Sequence, residues 1–132
     1  MKNTSIQFKE IISVCRDLYT KKLQDYGPAW RVLRLPSLTD QIFIKVNRIR
    51  TLQEETERLV DEDEEGEFVA IVNYSIMALI QLELGFADQP DLTDEQAIEF
   101  YDKYATIAHD LMMKKNHDYG EAWRDMRISS IT

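Results

Sequence analysis

A single cysteine among 132 residues leaves the chain unable to form an intrachain disulfide. Cys15 stands among Ile11, Ile12, Leu18 and Tyr19 at helical spacing, which predicts a buried thiol and not a reactive one. Glycine and proline are scarce, with four and three residues, and most of them fall where helical patterns break. The two histidines, His109 and His117, lack companion cysteines or histidines at zinc-site spacing. A glycine-rich phosphate loop and a nucleophile motif are also missing, so zinc, P-loop and serine-hydrolase chemistries are set aside. No segment alternates apolar and polar residues between turn signals, and no sheet is expected. The N-terminus carries no signal-peptide pattern and no apolar run approaches the roughly 20 residues that span a bilayer, a reading that places the protein in the cytoplasm and off the membrane.

What the chain has in excess is acid, and the acid is unevenly placed. The formal net charge is -8. All of it lies between Glu54 and Glu67, where nine acids face only Arg58; the remainder is neutral, with 15 acids and 15 bases. Just before that run, Lys21 to Arg50 holds seven bases against Asp25 and Asp40. Spread evenly, such a sum would argue against nucleic-acid binding, but its location matters more: a basic segment is followed by an acidic one, and direct nucleic-acid binding is not expected.

The chain also repeats itself. Lys21-Lys22, Asp25-Tyr26-Gly27, Ala29-Trp30-Arg31 and Arg34 recur 93 residues later as Lys114-Lys115, Asp118-Tyr119-Gly120, Ala122-Trp123-Arg124 and Arg127. The match extends backwards through Phe8 and Tyr101, Val14 and Ile107, and Leu18 and Leu111. This predicts a duplication with one copy over 5–86 and a partial copy over 94–132, ending at Thr132 where the first copy starts a further helix. Either the chain is a fragment of a longer two-copy protein, the favoured reading, or one copy has lost its tail; a homodimer is expected to cover the face left bare.

Periodicity predicts four main helices in a single all-α bundle over 1–132. The first runs from about Ser5 to Tyr26 and is ended by Gly27. A short helix follows through Ala29-Trp30-Arg31, and Pro36 then punctuates, with Ser37 or Thr39 capping the second helix. Phe68 to Leu84, apolar almost all round, reads as the central buried helix. Thr93-Asp94-Glu95-Gln96 is a capping box that opens the last helix.

Within this frame the motif places Tyr26 and Trp30 beside Arg31 and Arg34. Aromatic faces stack on bases and guanidinium groups pair with phosphates. The competing reading is structural, with the aromatics anchoring a corner and the arginines paired to the acidic segment. Lys45 and Arg48, three apart, share a helix face and could grip phosphates or neutralise Glu67 or Asp40. Asn73, inside an apolar run, needs a partner. Glu62 and Glu65 stand one turn apart and could hold Mg²⁺ if that stretch is helical; a charge run is more often a solvated loop.

Asp25-Tyr26-Gly27, Ala29-Trp30-Arg31, Lys45-x-x-Arg48-Ile49 and Val72-Asn73-Tyr74, in that order, resemble the nucleotide modification associated domain 1 family. That resemblance implies a context of nucleotide or DNA-base modification. More distantly, Glu67 to Leu84 is similar to the metal-binding helix of MazG-type all-α nucleoside triphosphate pyrophosphohydrolases, which implies Mg²⁺ held with Glu67. Here the second acid of the pair is replaced by Ala70, and Lys45 and Arg48 stand where facing acids are wanted. The expected site is therefore a nucleotide pocket of Tyr26, Trp30, Arg31, Arg34, Lys45, Arg48 and Asn73, with Glu67 toward Mg²⁺. Binding and hydrolysis are both open, and a non-catalytic assembly module is the alternative.

Overall fold

The computed structural model describes residues 2–54 and 62–120, and all regular structure among them is helical. The helices are α1 (Lys2–Tyr26), α2 (Leu35–Glu54), α3 (Glu62–Leu84) and α4 (Asp94–Tyr119), with a 3-10 turn at Ala29–Val32. The all-α bundle of four helices read from the sequence is the observed architecture.

Two boundaries differ from the sequence reading, each for a local reason. α2 starts at Leu35, so Pro36 sits inside its first turn, where a missing N–H leaves no helical bond unmade. Ser37 and Thr39 are consequently not caps; Ser37 donates its own N–H to the Arg34 carbonyl (3.0 Å), and Thr39 Oγ1 donates to the Leu35 carbonyl (3.0 Å). α3 starts at Glu62, not Phe68, and runs through Gly66, which a helix tolerates at a cost of about 1 kcal/mol relative to Ala. At α4 the reading holds: Thr93 Oγ1 accepts from the Gln96 N–H (3.1 Å) and Gln96 Oε1 accepts from the Thr93 N–H (2.9 Å).

α2 and α3 run antiparallel, joined by Gln53 and Glu64 (3.1 Å) at one end and by Gln81 and the Leu33 carbonyl (2.7 Å) at the other. α1 and α4 are also antiparallel. Ser5 meets His109 (2.8 Å), the Arg16 guanidinium meets Asp102 through two bonds (2.8 and 3.1 Å), and the Tyr19 hydroxyl donates to the Ala97 carbonyl (2.9 Å). The core gathers Tyr19, Leu23, Trp30, Ile76, Ile80, Ala97, Tyr101 and Ala105. The rings of Tyr19 and Tyr101 stand 4.4 Å apart at its centre. Burial pushes both phenols far above the usual tyrosine range, so they serve as neutral donors at any physiological pH.

α1 and α4, which carry the sequence repeat, coincide in burial at some paired positions and differ at others, Cys15 and Tyr19 being buried where Ala108 and Met112 are only half-buried. Thr4 and Ala97 are both covered, as are Leu23 and Asn116, and each pair is 93 residues apart. Gly27 and Gly120 both adopt φ 60, the left-handed conformation that ends a helix and that residues with a Cβ resist. The second motif beyond Gly120 lies outside the described residues.

α3 departs most from expectation. It touches the other three helices, yet only 22% of its most apolar window is buried. The stretch Glu64–Leu84, 21 residues at mean hydropathy 1.4, is long and apolar enough to cross a membrane by length and composition alone. This corrects the reading that no segment approaches that size. Asn73 and Gln81, both buried within the bundle, are the polar positions that the rest of the chain satisfies.

Candidate functional site

Two adjoining cavities open where α1, the 3-10 turn, α2 and α3 meet. The first, about 320 Å³, is lined by Leu23 and Tyr26 from α1, Trp30 and Leu33 around the turn, and Tyr74 and Met77 from α3. The second, about 220 Å³, is lined by Leu18 of α1, Lys45 of α2, and Ala70 and Asn73 of α3. Both share Tyr19, Lys22, Tyr74 and Met77, so the two form one groove with an aromatic end and a cationic end.

The turn itself is built from the repeated motif. The Gly27 N–H donates to the Leu23 carbonyl (2.7 Å), and the left-handed glycine turns the chain so that Pro28 and Ala29 bring Trp30 back against the core. Tyr26 stays exposed at the rim, with the Lys22 ammonium 6.0 Å from its ring centre. Trp30 Nε1 is buried, with the Tyr19 hydroxyl beside it.

At the cationic end, the Glu67 carboxylate of α3 lies beneath α2. Lys45 Nζ is 3.4 Å from Oε2 and Arg48 Nε is 3.6 Å from Oε1. Both separations exceed the roughly 2.7–2.9 Å of a charge-assisted hydrogen bond. Oε2 is fully buried and accepts no hydrogen bond from the described residues.

The structure does not bring every expected residue here. Arg31 is only 3% exposed and is fully engaged elsewhere: it donates to Asp91 through Nε (2.8 Å) and one terminal nitrogen (3.2 Å), and through the other to the Gly85 carbonyl (2.6 Å) and to Gln81 Oε1. Gln81 in turn donates from Nε2 to the Arg31 and Leu33 carbonyls (2.9 and 2.7 Å). The guanidinium is thus a clamp between the motif and the α3–α4 connection, and it holds the Asp91 carboxyl below the usual range. Arg34 is exposed with its guanidinium 4.4 Å from the Phe86 ring, also away from the groove.

Asn73 finds its partners within the fold. Its Nδ2 donates to the Cys15 carbonyl (3.0 Å) and its Oδ1 accepts from the Tyr101 hydroxyl (2.8 Å). Its edge lines the groove, but its hydrogen-bonding atoms are committed to α1 and α4. Glu62 does begin a helix, as a metal pair with Glu65 would require, although the Glu62 side chain lies outside the described ones. Among the described residues no three His, Cys, Asp or Glu side chains cluster as a metal site would need.

Of the residues singled out from sequence, Tyr26, Trp30, Lys45 and Asn73 therefore line the groove; Glu67, beside Lys45, and Arg48, beside Glu67, line neither cavity, and Arg31 and Arg34 stand apart. Tyr19, Leu33 and Met77 were missed as lining residues, because nothing in a core-like pattern marks a wall. Lys22 and Tyr74 carried a signal: Lys22 is one turn before Tyr26, and Tyr74 shares a stripe with Glu67.

Residues 22–82 and 115–132 match the family profile described as Nucleotide modification associated domain 1, more than half of the chain. The protein belongs to that family. Most of the groove falls within the first matched segment of the Nucleotide modification associated domain 1 profile, including Tyr26, Trp30, Lys45, Asn73 and Tyr74. The two matched segments start 93 residues apart, the spacing of the sequence repeat. No curated protein and no solved structure matches the chain.

Proposed function

We propose that this groove binds a nucleotide, with the base against Tyr26, Trp30 and Tyr74 and the phosphates toward Lys22, Lys45 and Arg48. The observation that carries this reading is the juxtaposition of an aromatic cavity and a cationic cavity that share Lys22 and Tyr74. Stacking and charge pairing at opposite ends of one groove are what a nucleotide asks of a protein. The family context of nucleotide modification supports the same ligand class.

The residues at hand do not fit a Mg²⁺ cage on the MazG pattern. Glu67 is flanked by two cations, Ala70 offers no oxygen, and the Asn73 oxygen is taken by Tyr101. Magnesium enters this reading only as a companion that a nucleotide brings with it, and no hydrolytic step is assigned to the chain.

The test is thermal stability against a panel of nucleoside mono- and triphosphates, with and without Mg²⁺. A ligand at a hundred times its dissociation constant adds about 2.7 kcal/mol. A selective shift that disappears in Lys45→Ala supports the groove; shifts absent throughout, or unchanged in Lys45→Ala, remove it.

A second reading, an assembly module, is favoured by α3. A mostly apolar helix that is half-buried along most of its length and exposes Leu79 and Leu82, in a chain that also exposes Ile107 and Leu111, fits self-association into a homodimer. Sedimentation at several concentrations tests it, and a monomer at all of them refutes it.

A further inference from the structure

We infer that the groove selects by phosphate number, taking nucleoside monophosphates and turning away di- and triphosphates. This rests on the nucleotide reading above and names the ligand within it.

Among the described residues, Lys22 and Lys45 are the cations that line the groove, Lys22 in both cavities and Lys45 in the second. The other bases of the same stretch are placed elsewhere. Arg31 is spent on Asp91, Gln81 and the Gly85 carbonyl, Arg34 covers the Phe86 ring, and Arg48 lines neither cavity. A phosphate monoester carries about 1.5 to 2 negative charges at neutral pH, which two ammonium groups match. Each further phosphoryl group brings charge for which the groove holds no further cation.

The walls around the lysines also decide against a longer anion. Leu18, Ala70 and Met77 are apolar, the Asn73 amide is committed to Cys15 and Tyr101, and the Tyr19 hydroxyl is donated to Ala97. Phosphoryl oxygens pressed against such walls lose water and find no donor, a large cost for a charged group. Beside Lys45, outside the cavities, stands the Glu67 carboxylate, 16% exposed and 3.4 Å from the ammonium. Its repulsion reaches any phosphate held at Lys45 and grows with the charge of the ligand. Arg48, 3.6 Å from the same carboxylate, offsets part of that field, but it is 60% exposed and solvent weakens its share. The monophosphate therefore gains both ammonium groups against the least repulsion. Rejection of the wrong ligand by a placed like charge is a general route to specificity.

Calorimetry with adenosine mono-, di- and triphosphate tests the inference, without divalent cations so that each ligand keeps its full charge. The proteins are wild type, Leu18→Lys and Leu18→Gln. Leu18 lines the second cavity and is 38% exposed, so a lysine there adds a third ammonium group at a position that already meets water. Glutamine adds polarity without charge. Wild type is expected to bind the monophosphate about tenfold tighter than the triphosphate, with the diphosphate between. Leu18→Lys is expected to narrow that gap to about threefold or less, chiefly by strengthening the triphosphate, and Leu18→Gln to leave it unchanged. Circular dichroism and melting without ligand verify the fold of each variant; should Leu18→Lys not fold, the order of the three nucleotides on wild type still decides. Equal or tighter binding of the triphosphate to wild type, or a gap that a folded Leu18→Lys leaves as it was, overturns the inference while the groove stands, because nucleotide is still bound and is lost in Lys45→Ala. Binding of none of the three removes the reading of the groove and the inference with it.

Discussion

Arg31 and Arg48 are both cations in the basic stretch of the sequence, and the fold treats them in opposite ways. Arg31 is buried, with every contact short and directional, to Asp91, Gln81 and the Gly85 carbonyl. Arg48 is 60% exposed and reaches one carboxylate at 3.6 Å. The difference separates a cation that assembles the protein from one that can leave its partner for a ligand. A buried ion pair breaks at high cost because a desolvated group is left behind, while an exposed pair contributes little to stability.

The sharpest way to break this comparison is to truncate the buried member. Arg31→Ala strands Gln81 and the Gly85 carbonyl and is expected to lower unfolding stability by roughly 2 to 4 kcal/mol in urea titration, short of the full buried-pair value because Asp91 is half exposed. A loss under about 0.5 kcal/mol would show that the clamp is decorative. Next in size is the glycine that aims the same corner. Gly27→Ala meets open space but must hold φ 60, so a loss of about 1 kcal/mol is expected from backbone strain alone.

Acid should loosen the Arg31 clamp through Asp91. Asp91 has its folded pKa depressed, first by the hydrogen bond from Arg31. A depressed carboxylate contributes stability that is present above the unfolded value near about 4 and is lost as pH falls through the folded value. Stability measured from pH 6 down to 2 should thus fall less steeply in Asp91→Asn than in wild type; equal slopes would detach Asp91 from the clamp. The smallest stability effect is expected at the loose cation. Arg48→Ala should change unfolding stability by less than about 1 kcal/mol while weakening nucleotide binding about tenfold, and a large stability loss would place Arg48 with Arg31.

The fold was legible because helical signals are local. Ile11, Ile12, Cys15 and Tyr19 show their spacing to anyone reading along the chain, and the Thr93 to Gln96 box spans four residues. The two boundary errors arose where a local signal has two meanings: Pro36 ends one helix pattern or opens another, and Gly66 can break a helix or sit inside it. The site was half legible. Tyr26, Trp30 and Lys45 announced themselves by residue type. That Arg31 would be consumed could not be read, since its partners Gln81 and Asp91 lie 50 and 60 residues further along. Asn73 announced a need for a partner, but only packing could make that partner Tyr101 from the last helix.

That one amide has a consequence for how the molecule comes apart. Asn73 joins the α1 backbone at Cys15 to the α4 side chain at Tyr101, and α3 is itself hairpinned to α2. None of α1, α3 and α4 can slide or rotate by a residue without surrendering a buried hydrogen bond. Opening is thereby coupled across the chain: the slowest-exchanging amides of α1, α3 and α4 should be released together, as one cooperative unit, while the exposed end of α4 near Tyr119 frays on its own.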